Sequence, residues 1–201
     1  MAGQARKNER KSMAIATALL TSISPLSQSQ GLKSEPKKNE PWDTYEKRVW
    51  RERVQTDNKN NVIIPSMAIK NCLSSAARYI GMSVPGAKGK TFTKLFESAV
   101  YVLDPVVTNV TLEQVTSEAI FVPSDGKRGG GSRVWKTFPL IRSWQGHVKV
   151  NVLDARISED VFYRHLNDAG SFIGVGRFRP EKNGFYGRFS VSQFEWHELD
   201  F

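Results

Sequence analysis

Two helix-forming segments set among β-rich runs constrain this chain most. The first lies between Pro65, which suits an initial helical position, and Gly81, which suits the residue just past a helix end. Ile69, Leu73, Ala76, Ala77 and Ile80 recur on one face, an apolar stripe that must be buried against something. Lys70, Ser74 and Arg78, at i, i+4 and i+8, form a polar stripe on another face. The second segment begins near Ser158, a good N-cap followed by Glu159 and Asp160 in the first turn. Ile157, Val161, Leu166 and Ala169 line its apolar side, and Gly170 is expected to end it.

The segments around the helices read as strands. Residues 13–26 open with MAIATALL, too short a run to span a bilayer, where about 20 apolar residues are needed. No small-x-small cleavage site follows it, so a buried strand is expected rather than a secretory signal. VIIP enters the first helix as a short strand. SAVYVLDPVVT and SEAIFVP follow it, then RVWKTFPLIRSW and HVKVNVLD, joined by Gln145-Gly146. His147, Lys149 and Asn151 alternate with Val148, Val150 and Val152, the pattern of a half-buried strand. Asn183-Gly184 is a hairpin signal near the end. This alternation predicts an α+β sandwich with helices on one sheet face.

Residues 27–61 are dominated by charged and turn residues but punctuated by Trp42, Tyr45, Val49, Trp50 and Val54. A short amphipathic helix and an extended arm both fit this run. Residues 1–12, with four basic side chains and one acidic, read as a flexible arm, leaving 13–201 as a single domain.

Several chemistries are disfavoured. Cys72 is the one cysteine in 201 residues, which excludes an internal disulfide framework or multi-cysteine zinc site and fits a cytoplasmic, reducing compartment. His147, His165 and His197 have no metal-ligand spacing, so no metal is expected. The loop at 82–94 invites comparison with a phosphate-binding loop, but Val84 stands where that motif needs its first glycine. GVGRFR lacks the third glycine of a dinucleotide fingerprint, and no cofactor is expected. Asp57, Asp104 and Asp125 fall in or beside loops, where acids mostly initiate turns.

The charge is more informative. The chain carries 29 Lys and Arg against 20 Asp and Glu, a net +9. Residues 126–153 contain no acid and hold Lys127, Arg128, Arg133, Lys136, Arg142 and Lys149. Residues 177–188 hold Arg177, Arg179, Lys182 and Arg188 against Glu181 alone. Together the two segments equal the net charge of the whole chain. Trp135, Phe138, Trp144, Phe178, Phe185, Tyr186 and Phe189 interleave with these cations, and glycines are frequent in both. Cations neutralise phosphates, aromatic faces stack unpaired bases, and glycines let a backbone approach a strand closely. The pattern points to a single-stranded nucleic acid, although any one of these aromatics also fits a strand core.

Three segments in order carry a family resemblance: IATALLTSISPLSQSQ at 15–30, NVIIPSMAIKNCLSSAAR at 61–78, and GSFIGVGRFRPEKNGFYGRFSV at 170–191. They resemble the first strand, the entry to the first helix and the glycine-rich loop of the repeat-associated mysterious protein (RAMP) superfamily. The chain looks like a compact or divergent, phage-borne relative of the backbone subunits of CRISPR-type complexes. The resemblance implies a ferredoxin-like, RNA-recognition-motif-like core with an antiparallel sheet, two helices and insertions at about 27–61 and 105–135. It also implies an RNA-binding subunit that multimerises along a guide-type RNA and presents it to a complementary DNA or RNA strand. Lys70 and Arg78 on the first helix, and Arg177, Arg179, Lys182, Tyr186 and Arg188 in the glycine-rich loop, would then touch RNA. A metal-independent endoribonuclease of the same superfamily is the alternative, with His147, His165 or Tyr186 as general acid or base. A phage single-strand binding or annealing protein is another.

Overall fold

In the computed structural model, which describes residues 13–124 and 131–199, regular elements follow the expected order with additions. They are β1 (Met13–Ser22), α1 (Trp42–Val49), β2 (Asn61–Ile64), α2 (Ser66–Ile80), α3 (Thr93–Ala99), β3 (Val100–Val102), β4 (Val106–Thr111), β5 (Thr116–Pro123), β6 (Arg133–Leu140), β7 (Gln145–Val152), α4 (Glu159–Asp168) and β8 (Phe189–Leu199). The expected arm at 1–12 lies outside the described residues.

The main sheet grows around β1. Its alternating pattern buries Ala14, Ala16, Ala18 and Leu20 on one face. β1 pairs antiparallel with β7 on one side and with β8 on the other, with a bulge in the β8 pairing at Leu19/Leu20. β7 in turn pairs with β3 and touches β4, and β2 closes the edge against β4. Stripped of additions, the order is β8-β1-β7-β3, built from β1-α2-β3-β7-α4-β8. This is the antiparallel ferredoxin-like β-α-β-β-α-β core, with both core helices against the sheet.

The helical layer follows from the apolar stripes. Ile69, Leu73, Ala76 and Ala77 of α2, and Phe162 and Leu166 of α4, share one core with the buried face of β1 and with Val148, Val150 and Val152 of β7. Ser158 caps α4 by accepting from the Val161 N–H, as its position predicts. Pro65 sits one place earlier than expected, as the residue before α2 rather than inside it. No helix among the described residues is long and apolar enough to cross a membrane.

Four local expectations need correction. Thr93–Ala99 is a helix, where the run beginning at Ser98 reads as strand. Only seven residues long, it has too few turns for a legible period. It is held by Phe96, whose ring stacks on Phe162 at 6.2 Å and on His165 at 4.3 Å. Gly170 does not end α4. The chain continues through a π-helical turn, Ala169–Ile173, in which a Cβ at Gly170 would lie 2.1 Å from the Phe189 carbonyl oxygen. Glycine is there for close approach, not termination. Gln145 and Gly146 lie inside β7, paired with Thr21 and Leu20, and do not turn β6 into β7. β6 belongs to a separate two-stranded ribbon with β5, registered from Thr116↔Leu140 to Pro123↔Arg133. Asn183-Gly184 joins no pair of strands. Asn183 is the left-handed residue after a single 3₁₀ turn, Pro180–Lys182.

Residues 27–61 are less solvated than their composition suggests. α1 and a following 3₁₀ turn, Trp50–Arg53, bury Tyr45, Glu46, Val49 and Trp50. This short helical unit packs on β6, so the insertion supports the ribbon.

Candidate nucleic-acid interface

Three chain segments far apart in sequence enclose a groove of about 510 Å³. One wall is the chain leaving β1, residues 26–30. The second is the face of α2 that carries Ala68, Asn71, Cys72 and Ser75. The third is the glycine-rich loop, residues 173–182.

The loop is sewn to the first wall by its backbone. The Arg177 N–H donates to the Ser27 carbonyl at 2.7 Å, and the Gly187 N–H to the Pro25 carbonyl at 2.7 Å. The Val175 N–H reaches the Gly187 carbonyl at 3.0 Å, so the loop doubles back on itself. Gly187 has φ +71°, and a Cβ there would lie 1.8 Å from the Val175 carbonyl oxygen; no other residue fits. Phe178 adopts φ +53°, a conformation bulky residues rarely take, and faces this groove. The Tyr186 N–H donates to its carbonyl at 3.0 Å, which helps hold it there.

Arg177 is the central cation. Its guanidinium lies 3.1 Å from the Phe138 ring centroid and 4.3 Å from that of Phe178. Its Nη1 is buried without a hydrogen-bond partner. Burial, then the neighbouring Arg53 charge, push its pKa down to about 10, with Glu46 and Glu118 pulling weakly the other way. Among the described residues no carboxylate lies within ion-pair distance of it. Arg53, by contrast, is neutralised. Its Nη2 donates to both Glu46 oxygens at 2.9 Å, and Glu46, only 2% exposed, also accepts from the Thr137 N–H at 3.2 Å. Arg53 and Arg177 thus share the Phe138 ring, but only Arg53 has a counter-charge bonded to it.

The structure distributes the remaining candidates over several places. Arg179 lines the groove and is paired with Glu181 at 2.7 Å, while its Nη1 holds the Gly176 carbonyl at 3.1 Å. Lys182 lies at the groove edge, beside Glu181. Tyr186 is buried, and its hydroxyl donates to Glu118 of β5 at 2.7 Å, tying the loop to the ribbon. Burial and that contact push the phenol up to about 12. Arg188 is half-buried, with its Nε unpartnered. Arg142 is exposed just beyond β6.

Lys70 and Arg78 turn away from the groove, towards α3. The Lys70 ammonium donates to the Phe96 carbonyl, to the Glu97 carbonyl at 3.0 Å and to Ser74 Oγ at 3.1 Å, which caps the end of α3. Burial lowers its pKa. Arg78 pairs with Glu97 at 3.2 Å. Arg133 lies over Phe121 at the outer part of the ribbon, roughly 17 Å along β6 from Phe138. Lys136 donates to the Ser124 carbonyl at 3.3 Å. Lys127 and Arg128 lie outside the described residues.

The interleaved aromatics separate into two kinds. Phe138, Trp144, Tyr186 and Phe189 are buried, whereas Trp135 is 56% and Phe185 62% exposed. The open sheet face is not an aromatic platform. Its two central strands present Ile15, Thr17 and Leu19, and His147, Lys149 and Asn151. Arg177, Arg179, Lys182 and Phe178 are gathered at the groove instead.

The general acid–base candidates do not converge. His147 is exposed on the sheet face. His165 is fully buried, with Nδ1 2.6 Å from the Val161 carbonyl, and burial lowers its pKa. Tyr186 is engaged with Glu118. Asp57 organises its own turn, accepting from the N–H groups of Lys59 and Asn61 at 2.8 and 2.9 Å. Among the described residues, no three His, Cys, Asp or Glu side chains are grouped to hold a metal. The Cys72 thiol, beside the groove, is pushed up to about 12 by burial.

Sequence reasoning missed Gln30, Gln55 and Asn71 on the groove wall, and the Glu46–Arg53 pair behind it. None carries a motif; only the fold brings them together.

No protein-family model matches the chain, and no curated protein matches it. Among solved structures, Cmr6 from Pyrococcus furiosus aligns over 89% of this chain and 98% of its own, at 14% identity and a TM-score of 0.51. A chain of the Type III-B Cmr-beta complex bound to cognate target RNA aligns over 92% of this chain and 60% of its own, at 14% identity and a TM-score of 0.46. The likeness to Cmr6 is one of fold, and that fold is the one the RAMP resemblance implies.

Proposed function

We propose that this protein is a non-catalytic RNA-binding subunit. It multimerises along a guide-type RNA held in the groove and presents that RNA to a complementary strand. The observation that carries the reading is Arg177, a half-buried guanidinium stacked between aromatic rings at the groove, with a depressed pKa and no bonded carboxylate. A cation in that state is stabilised by a ligand anion. A phosphodiester in the groove supplies the anion, while release of counterions adds to the affinity. Two features support it. Arg179 and Lys182 line the same groove, and α2 begins beside it at Pro65 with no side-chain cap on its first N–H groups. The fold shared with Cmr6 and the RAMP resemblance support the guide-RNA role.

The test is purification at low salt, extraction of nucleic acid and sequencing of what is recovered. One defined RNA species, with the protein in multimers that dissociate as salt rises, is the expected result. A clean monomer with no affinity for single-stranded RNA at low salt refutes the reading. A random mixture of strands replaces the guide role with a general single-strand binding one.

A further inference from the structure

A phosphate track needs only donors, because a phosphodiester is an acceptor. The groove contains more than donors. The side-chain amides of Gln30, Gln55 and Asn71 line it, and none has a hydrogen-bond partner among the described residues. Each presents a donor and an acceptor side by side. The neighbouring Gln28 is buried, donates from Nε2 to the Ile63 carbonyl at 2.7 Å and accepts at Oε1 from the Gln55 N–H at 2.8 Å. Gln28 lines the groove too, but its amide is engaged by the fold, whereas those of Gln30, Gln55 and Asn71 are open to a ligand.

The volume points the same way. A cavity of about 510 Å³ falls in the range of sites for small organic ligands, roughly 300–1,000 Å³, and exceeds what a bare phosphate fills. Phe178 adds an aromatic residue to the wall, held at φ +53° by the loop around it.

Resting on the RNA-binding reading above, we infer that the groove reads the identity of one nucleotide: its phosphate lies against Arg177 and its base edge against the amides of Gln30, Gln55 and Asn71. An amide that loses water on binding must find both a donor and an acceptor, and a heterocyclic edge offers both in one plane. A base with the wrong edge leaves those groups unpaired, so the groove discriminates among bases instead of accepting any strand.

The experiment measures fluorescence anisotropy of the intact protein with labelled 12-nucleotide oligo(U), oligo(C) and oligo(A), and with oligo(U) carrying one central guanosine. The parent protein, Arg177→Ala and the double variant Gln55→Ala/Asn71→Ala are compared at one salt concentration. Asn71 is exposed and Gln55 half-buried, and an unchanged thermal midpoint verifies the fold of the double variant. One RNA should bind roughly ten-fold more tightly than the rest. The double variant should lower that RNA to the level of the others and leave the others unchanged, whereas Arg177→Ala should weaken all of them alike. Equal affinities in the parent, or a preference that survives in the double variant, overturn the inference and leave RNA binding intact. No binding to any RNA overturns the RNA-binding reading and the inference with it.

Discussion

Glu46 ties the inserted helix to the ribbon, and replacing it tests that arrangement. Its carboxylate is 2% exposed, takes both hydrogen bonds of the Arg53 Nη2 and accepts the Thr137 N–H from β6. The Arg53 side chain is only 11% exposed, so Glu46→Ala leaves a buried guanidinium with no counter-charge. Breaking one partner of such a pair costs about 3–5 kcal/mol. For a domain of this size each kcal/mol shifts the midpoint by roughly 2–4 °C, so thermal unfolding should move down by about 6–20 °C. Urea unfolding should show a comparable loss with little change in slope. The pair itself is not the source of stability; the stranded charge is the source of the loss. The double variant Glu46→Leu/Arg53→Met, which removes both charges and keeps volume, should therefore recover most of it. A loss below about 1 kcal/mol in Glu46→Ala, or a double variant no better than the single one, refutes this account.

Three further outcomes follow from the same structure. Arg177→Ala should reduce the slope of log affinity against log salt by about 0.7, the value for one phosphate contact on a single strand, in an anisotropy titration over salt. Burial lowers the His165 pKa below its usual 6.5, so the unfolded chain takes up a proton first as pH falls. Stability is then unaffected above pH 6.5 and declines as pH drops below it, and a His165→Leu variant should flatten the chemical-denaturation profile between pH 7 and 5. Gly187→Ala places a Cβ against the Val175 carbonyl at φ +71° and should cost on the order of 3 kcal/mol by urea unfolding, together with loss of RNA binding.

Much of the core was legible because local periodicity carries it. The Ile69–Leu73–Ala76–Ala77 stripe and the Ser158 cap announce α2 and α4, and the valine alternation announces β7, since each depends on residues within a few positions of one another. α3 escaped because seven residues are too few to display a period, and Gly170 misled because a glycine needed for packing looks the same as one that ends a helix.

The site divides along the same line. From the sequence alone came the concentration of cations in two glycine-rich segments and the order of motifs that implies this fold. Charge density and motif spacing are properties of the chain as written. Which cations are paired within the fold was decided only in three dimensions. Lys70 and Arg78 are spent on the end of α3, Arg53 is neutralised by Glu46, and Arg177 lines the groove with a buried Nη1 that has no hydrogen-bond partner. Each fate depends on a partner 7 to 39 positions away, the farthest being Phe138 beneath Arg177. A charge is available for binding only when no carboxylate or carbonyl has been folded against it, and that is a property of tertiary contacts.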